Sequence, residues 1–212
     1  FDYVRFAVEQ IAELKPDFMS VTYGAGGGTS AYTAEIARIV QAGHGVPALA
    51  HLTCVSSTRD RIHQELKHLQ DAGVENILAL RGDYPDGYDP TAPRDFRYAA
   101  DLIREIREYG GFCIGAACYP EGHVESHSQE EDLIHLKEKV DCGVDFLTTQ
   151  MFFDNSALYS FLFRAQRMGI DLPILAGIMP VTNATQMTRI LSLSGTTLPT
   201  RFRMILDKFR DR

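Results

Sequence analysis

The stretch PALAHLTCVSSTRDRIHQELKHLQDAGVENILAL, Pro47 to Leu80, changes its period twice. Pro47 to Leu52 is a short apolar run of strand length. Thr58 to Ala72 reads as a helix, stopped by Gly73. Asn76 to Leu80 is again a short apolar run. Strands apolar on both faces and joined by a helix belong to a parallel sheet covered by helices.

The same alternation runs outward from this stretch. Toward the N-terminus, Tyr3 to Leu14 carries a helical stripe of Val4, Ala7, Val8, Ile11 and Leu14, ended by Pro16. Phe18 to Thr22 is a strand, and Ser30 stands as an N-cap for a helix through about Gln41. Toward the C-terminus comes a polar loop from about Gly82 to Arg94, then a helix from about Asp95 to Tyr109 before Gly110-Gly111. Phe112 to Ala117 is a strand, and about Ser128 to Cys142 a helix. Val144 to Thr149 and Pro173 to Ile178 are strands on either side of a helix over Asn155 to Met168. Thr182 to Leu193 and Pro199 to Phe209 are the last helices. No linker, low-complexity tract or short repeat interrupts the pattern.

About six strands and seven or more helices predict most of a (β/α)8 barrel, with residues 1–212 as one partial barrel domain. A complete barrel has roughly 250 residues and begins on a strand, whereas this chain opens on a helix. The expectation is therefore an incomplete TIM barrel lacking its first strand and its last strand–helix unit. A doubly wound sheet is the alternative, though it too usually begins on a strand.

Composition narrows the function classes. The chain has 212 residues, 45% hydrophobic and 23% charged, with a formal net charge of −7. No basic run suggests nucleic acid, and no apolar run has membrane-spanning length. The start, FDYVRFAVEQ, has no basic n-region and no apolar h-region, so no secretory signal is expected. Cys54, Cys113, Cys118 and Cys142 form no CxxC pair, and three of them sit in or beside apolar runs. Reduced thiols and a cytoplasmic location follow as expectations.

Barrel chemistry sits on the loops after each strand. Those ends are Thr22-Tyr23-Gly24, His51-Leu52-Thr53, Arg81-Gly82-Asp83, Tyr119 to His123, Gln150-Met151-Phe152 and Met179-Pro180-Val181. The glycine stretch VTYGAGGGTS, Val21 to Ser30, fits neither phosphate motif. A dinucleotide fingerprint needs glycine where Thr29 stands, and a P-loop needs a lysine that is absent. It is either a turn lifting the chain over the barrel rim or a backbone contact to a bound ligand. Arg81-Gly82-Asp83 spells an adhesion tripeptide. At a strand end, the same residues give a close backbone approach and a fixed charge for a ligand, or a surface turn. His123 and His127 have the spacing of zinc helices but lack the glutamate pattern and a third ligand, so no metal is expected. His51 is either a satisfied near-core histidine or a site residue. Phe152, Phe153, Phe161 and Phe163 read as core and rim packing rather than a stacking platform.

The segments PDFMSVTYGAGG, HLTC, LALRGDYP, YAADL, CYPEGHVES, LKEKVDCGVDFLTTQMFFD and GIMPVTN together resemble the 5,10-methylenetetrahydrofolate reductase family, in order and over nearly the whole chain. The resemblance implies a (β/α)8 barrel holding a flavin, usually FAD and less often FMN. It implies hydride from NAD(P)H to the flavin N5 and from there to methylenetetrahydrofolate, in a ping-pong cycle of one-carbon and methionine metabolism. Thr22, Tyr23 and Ala25 would line the flavin, Thr22 near the reacting face. His51, Arg81, Gly82 and Asp83 would contact it, with Asp83 tuning the ring from its N1 side. Tyr98, Ala99, Tyr119, His123, Ser126, Asp132, His135 and Lys139 match further cofactor contacts, and Gln150 and Gln186 match residues that hold folate or nicotinamide. A cytoplasmic homo-oligomer with no nucleic-acid or membrane partner is expected.

Three departures stand out. His135 replaces an amide, Glu138 takes a position where a basic residue can face the cofactor's phosphates, and Ile190 stands where a phenylalanine can pack on substrate. A carboxylate at 138 would repel a diphosphate, which weighs on FAD against FMN. The family's catalytic glutamate belongs to a segment like FEFFPP that precedes Phe1, so no glutamate here is assigned as proton donor. Two other classes remain in view: a non-catalytic flavin- or folate-binding partner subunit, and a barrel lyase acting on a phosphorylated substrate. The lyase would want a glycine-rich phosphate loop near the last strands, where Gly177 and Gly195 make only a weak match.

Overall fold

The computed structural model describes residues 1–23, 30–84, 87, 89, 94–181, 187, 190, 191 and 194–208. They gather into two compact units. The first is Phe1–Ala116 with Cys142–Asp145, and the second is Ala117–Asp141 with Phe146–Arg212. The expected glycine loop over 24–29, with Ala25 in it, lies outside the described residues, as do Gln186 and most of the helix expected over Thr182 to Leu193. The side chain of Ser30, the expected cap, is also outside them.

In the first unit, strands β1 (Met19–Val21), β2 (Ala48–Thr53), β3 (Asn76–Leu80) and the start of β4 (Cys113–Cys118) pair in parallel. The register sets Ser20 against Leu49, His51 against Leu78, and Ile77 against Ile114. Ala50, Leu52, Ile77 and Ala79 are fully buried, which is why these strands carry apolar residues at successive positions rather than alternating with polar ones. Helix α1 (Asp2–Ala12) buries Val8 and ends before Pro16, with Lys15 in the left-handed region at φ 52°.

Helix α2 (Ser30–Arg38) departs from expectation. Its last turns are not α-helical: Ile39–Gly43 form a π-helical turn. The wider turn buries Val40 and aims Gln41 so that its amide donates to the Gly73 carbonyl and accepts from the Ala48 N–H at 3.3 Å. One side chain thus ties the end of α2 to the end of α3 (Arg59–Asp71) and to the start of β2. In α3, Thr58 caps by accepting from the Arg61 N–H, and Ile62, Leu66 and Leu69 recur on the buried face.

The helix expected from Asp95 begins only at Ala99, as α4 (Ala99–Tyr109). Asp95 is diverted: its carboxylate accepts from the Arg59 N–H at 2.8 Å, in the first turn of α3. Asp101 supplies the real start, accepting from the Arg97 and Tyr98 N–H groups at 2.9 and 3.0 Å and leaving Tyr98 as the N-cap. Two buried carboxylates hold helices in this unit. Glu105 pairs with Arg59 and with His63 at 2.6 Å, and Glu65 pairs with Arg61 at 2.9 Å.

In the second unit, β4 ends at Cys118, and β5 (Phe146–Thr149) and β6 (Ile174–Leu175) pair in parallel. Helices α5 (Gln129–Asp141), α6 (Asn155–Arg167) and α7 (Thr200–Lys208) complete it. The strand expected over Pro173 to Ile178 shrinks to two residues. The Gly177 N–H donates to the Thr149 hydroxyl at 2.8 Å, a side chain of β5, so the ladder stops. Of the four phenylalanines, Phe161 is buried and Phe153 packs on Phe202 at 5.3 Å. Phe163 is 61% exposed, with the Arg167 guanidinium 5.8 Å from its ring, and so does not belong to the core.

Strand order follows the chain from β1 to β6. A doubly wound sheet would reverse direction at a switch point, so the sequential parallel order identifies an incomplete (β/α)8 barrel. Among the described residues no helix is long and apolar enough to cross a membrane.

Candidate functional site

Of the candidate residues in the first unit, Thr22, His51 and Arg81 to Asp83 stand at or near the C-terminal ends of β1, β2 and β3. Ser20 in β1 and His51 in β2 are diagonal neighbours on one face of the sheet, because Ser20 registers with Leu49, two residues before the histidine. The Ser20 Oγ lies 2.6 Å from the His51 Nε2. Burial lowers the pKa of His51 below its ordinary value, so the ring is neutral around pH 7. Next to it, the Thr22 carbonyl accepts from the Thr33 hydroxyl at 3.2 Å, which fixes the backbone where the chain leaves β1. Tyr23 is half-buried.

Arg81-Gly82-Asp83 is not a protruding turn. The Arg81 carbonyl accepts from the Cys54 and Val55 N–H groups at 3.2 and 2.8 Å, which continues the β2–β3 pairing past the strands. Gly82 has φ +87°, and a Cβ there would meet Val55 Cγ1 at 2.9 Å and Thr53 Cβ at 3.0 Å. Glycine is required on both counts. The Arg81 guanidinium lies 4.4 Å from the centre of the Tyr84 ring. Asp83 is exposed, so its carboxylate is presented rather than spent on packing. Cys54 is buried beside this junction, and burial with the nearby Asp101 charge pushes its thiol up to about 12. It is an inert filler rather than a nucleophile. Tyr98 caps α4 with 65% of its surface exposed, and Ala99 opens that helix.

In the second unit, the loop after β4 brings Tyr119 and His123 into an edge-to-face contact at 4.7 Å. The His123 Nδ1 accepts from the Glu125 N–H at 3.2 Å, so this nitrogen is committed within its own loop. His123 and His127 both lie in the turns before α5, not on one helix face, and among the described residues no group of three metal-ligating side chains forms. Ser126 donates to the buried carboxylate of Asp132 at 3.2 Å. Lys139 turns its ammonium inward to the Ala117 carbonyl at 2.6 Å. Burial pulls its pKa below the ordinary lysine value, opposed by Cys118 and Asp132. An ammonium carries three donors, and among the described residues this one has a single hydrogen-bonded acceptor, so an anionic ligand group would relieve its desolvation. Burial raises the Cys118 thiol to about 12, against the pull of Lys139.

His135 and Glu138 are exposed and pair with each other at 3.3 Å. Gln150 sits where β5 ends; its N–H donates to the Cys118 carbonyl at 2.7 Å and its side-chain oxygen accepts from the Met151 N–H. Sequence reasoning overlooked two residues of this frame. Ser20 carries no signal by itself, because only the register of β1 against β2 puts it on the face of His51. Glu121 carries none: its carboxylate accepts from the Thr197 N–H at 3.0 and 3.1 Å, across 76 residues of chain.

In the first unit, a neutral imidazole, a guanidinium, a carboxylate and a hydroxyl are groups of the kind that the hydrogen-bonding edge of a flavin ring takes. In the second unit, taken by itself, the buried ammonium of Lys139 is of the kind that phosphate oxygens take.

Comparison with known proteins places the chain. The family description "Methylenetetrahydrofolate reductase" matches residues 4–212. The 5,10-methylenetetrahydrofolate reductase of Pectobacterium carotovorum subsp. carotovorum is 36% identical over 202 residues, which are 95% of this chain and 66% of that protein. Methylenetetrahydrofolate reductase 1 of Schizosaccharomyces pombe is 40% identical over 93% of this chain and 33% of its own length. The chain therefore spans about two thirds of the bacterial relative and a third of the yeast one. Among solved structures, a Clostridium thermocellum protein described as binding two copies of 5-methyl-5,6,7,8-tetrahydrofolic acid superposes with a TM-score of 0.62 at 14% identity. That superposition covers 98% of this chain and 69% of the other, a likeness of fold.

Proposed function

The chain belongs to the methylenetetrahydrofolate reductase family, and from that premise we propose that it serves a flavin-dependent reduction of 5,10-methylenetetrahydrofolate to 5-methyltetrahydrofolate, with NAD(P)H as electron source. The observation that carries the reading is the neutral imidazole of His51 at a strand end, in the same unit as Thr22 and the Arg81-Gly82-Asp83 junction. A bound flavin supplies a two-electron carrier between nicotinamide and folate, chemistry that no side chain provides.

The chain's own residues do the rest. Thr22, Tyr23 and Ala25 line the ring, and His51 and Arg81 donate hydrogen bonds to its edge. The exposed carboxylate of Asp83 sets a negative charge beside it, which disfavours further negative charge there and so favours giving electrons up. Gly82 keeps the backbone close. Tyr98, Ala99, Tyr119, His123, Ser126, Asp132 and His135 hold the remainder of the cofactor, with Lys139 against its phosphates. Gln150 and Gln186 hold folate or nicotinamide. FAD is preferred over FMN. Glu138, the residue that argues against a diphosphate, lies 3.3 Å from the His135 Nδ1. One barrel domain over 1–212, a cytoplasmic setting and a homo-oligomer belong to the same proposal.

The test is a visible absorption spectrum of the purified protein before and after anaerobic NADH, then after methylenetetrahydrofolate. Flavin bands that bleach and return are expected, with Asp83→Asn slowing the return. Bound flavin that stays oxidised under both NADH and NADPH would replace this reading with that of a binding subunit. A colourless protein that takes up neither FAD nor FMN would overturn it.

A further inference from the structure

Ser20 is not among the residues that the family resemblance assigns to the cofactor, yet it has a short contact with one that is. Its Oγ stands 2.6 Å from the His51 Nε2. At that separation the two groups are hydrogen-bonded, and a ring nitrogen that carries no proton accepts from the hydroxyl. The two residues come from adjacent parallel strands in fixed register, so the contact is set by the sheet and not by a loop. His51 has no other hydrogen-bond partner among the described residues, which leaves its second ring nitrogen available to a ligand.

We infer that Ser20 is a positioning residue: its hydroxyl donates to the His51 Nε2, holds the ring proton on Nδ1, and so makes Nδ1–H the donor that His51 offers to a bound ligand. The lowered pKa of His51 agrees, because a protonated ring could not accept this bond. The consequence is chemical. Free neutral imidazole side chains favour the proton on Nε2, so the serine selects the minor tautomer and presents a donor where an acceptor lone pair would otherwise stand. A ligand atom facing Nδ1 is then an acceptor, such as a carbonyl oxygen or an unprotonated ring nitrogen. That this ligand is the flavin rests on the reading proposed above; the tautomer does not.

The experiment is long-range proton–nitrogen NMR of the whole chain labelled with nitrogen-15, with the His51 ring assigned by its loss in His51→Gln. Wild type is expected to show Nδ1 protonated and Nε2 unprotonated. Ser20→Ala shifts His51 toward the Nε2-protonated form, and Ser20→Thr, which keeps a hydroxyl, restores the wild-type pattern. Flavin titration of the same three proteins is expected to show about tenfold weaker binding for Ser20→Ala, recovered in Ser20→Thr, a factor that corresponds to about 1.4 kcal/mol. A wild-type ring protonated on Nε2, or an unchanged tautomer in Ser20→Ala, would overturn the inference. The tautomer shift without flavin binding by any of the three would support the Ser20–His51 link and remove the cofactor reading.

Discussion

Past the end of β2 the main chain goes on making sheet-like bonds; past the end of β5 it makes one more, from Gln150 to Cys118, and side chains then take over. In the first region Cys54 and Val55 donate to the Arg81 carbonyl, and Gly82 is packed against Thr53 and Val55. In the second, Gly177 donates to the Thr149 hydroxyl, Thr196 to the Met151 carbonyl at 3.1 Å, and Thr197 to the Glu121 carboxylate. Every residue has a backbone amide, but only particular residues have those side chains. The junction after β2 should therefore tolerate side-chain changes that the junction after β5 does not, except where a Cβ itself is the problem.

Gly177→Ala should break the β5 side of this contrast hardest. Its Cβ would fall 2.3 Å from the Thr149 carbonyl oxygen, a backbone atom that cannot swing aside. We expect a loss of about 3 kcal/mol in urea unfolding, and an unchanged midpoint would show that the chains do not approach so closely. Gly82→Ala is the matching test after β2. The added methyl meets a movable valine methyl and the Thr53 Cβ, and the positive φ adds its own strain, so about 2 kcal/mol is expected by the same measurement. Thr149→Val sharpens the comparison by removing only the hydroxyl. Leaving the Gly177 N–H without its acceptor should cost about 1–2 kcal/mol.

The smallest expected effect is a slope with pH. The folded pKa of His51 lies below its ordinary 6.5. Between those two values the unfolded chain binds more protons than the folded one, so stability rises with pH, and the penalty is complete below the folded value. Urea midpoints measured from about pH 5 to 8 should fall on the acid side, and His51→Gln should flatten that part of the curve.

The same contrast explains what could be read from residues alone. Asn76 to Leu80 was legible to the residue because an apolar run between turn residues has few other uses. Asp95 looked like a helix start and is a carboxylate in the right place, but the amide it accepts belongs to Arg59, 36 residues earlier. No local pattern encodes that. The π turn at Ile39–Gly43 was invisible because a single widened turn barely disturbs the apolar period. Pro173 to Ile178 has strand composition throughout, yet β6 stops where Thr149 captures Gly177, a competition decided by another strand. At the candidate site, strand-end placement located His51, Arg81 and Asp83. Ser20 was missed because a serine within a strand carries no chemical signature until its neighbour across the sheet is known.

The two deeply buried thiols have a practical consequence. With burial pushing both up to about 12, Cys54 and Cys118 stay protonated thiols at pH 7. Alkylation of the folded chain at these positions should be slow, and each would become reactive only when its surroundings open. They sit in different compact units, Cys54 in the first and Cys118 in the second. Mass spectrometry of alkylation against time would therefore read two clocks in one tube, and any difference in their rates would show which unit breathes first.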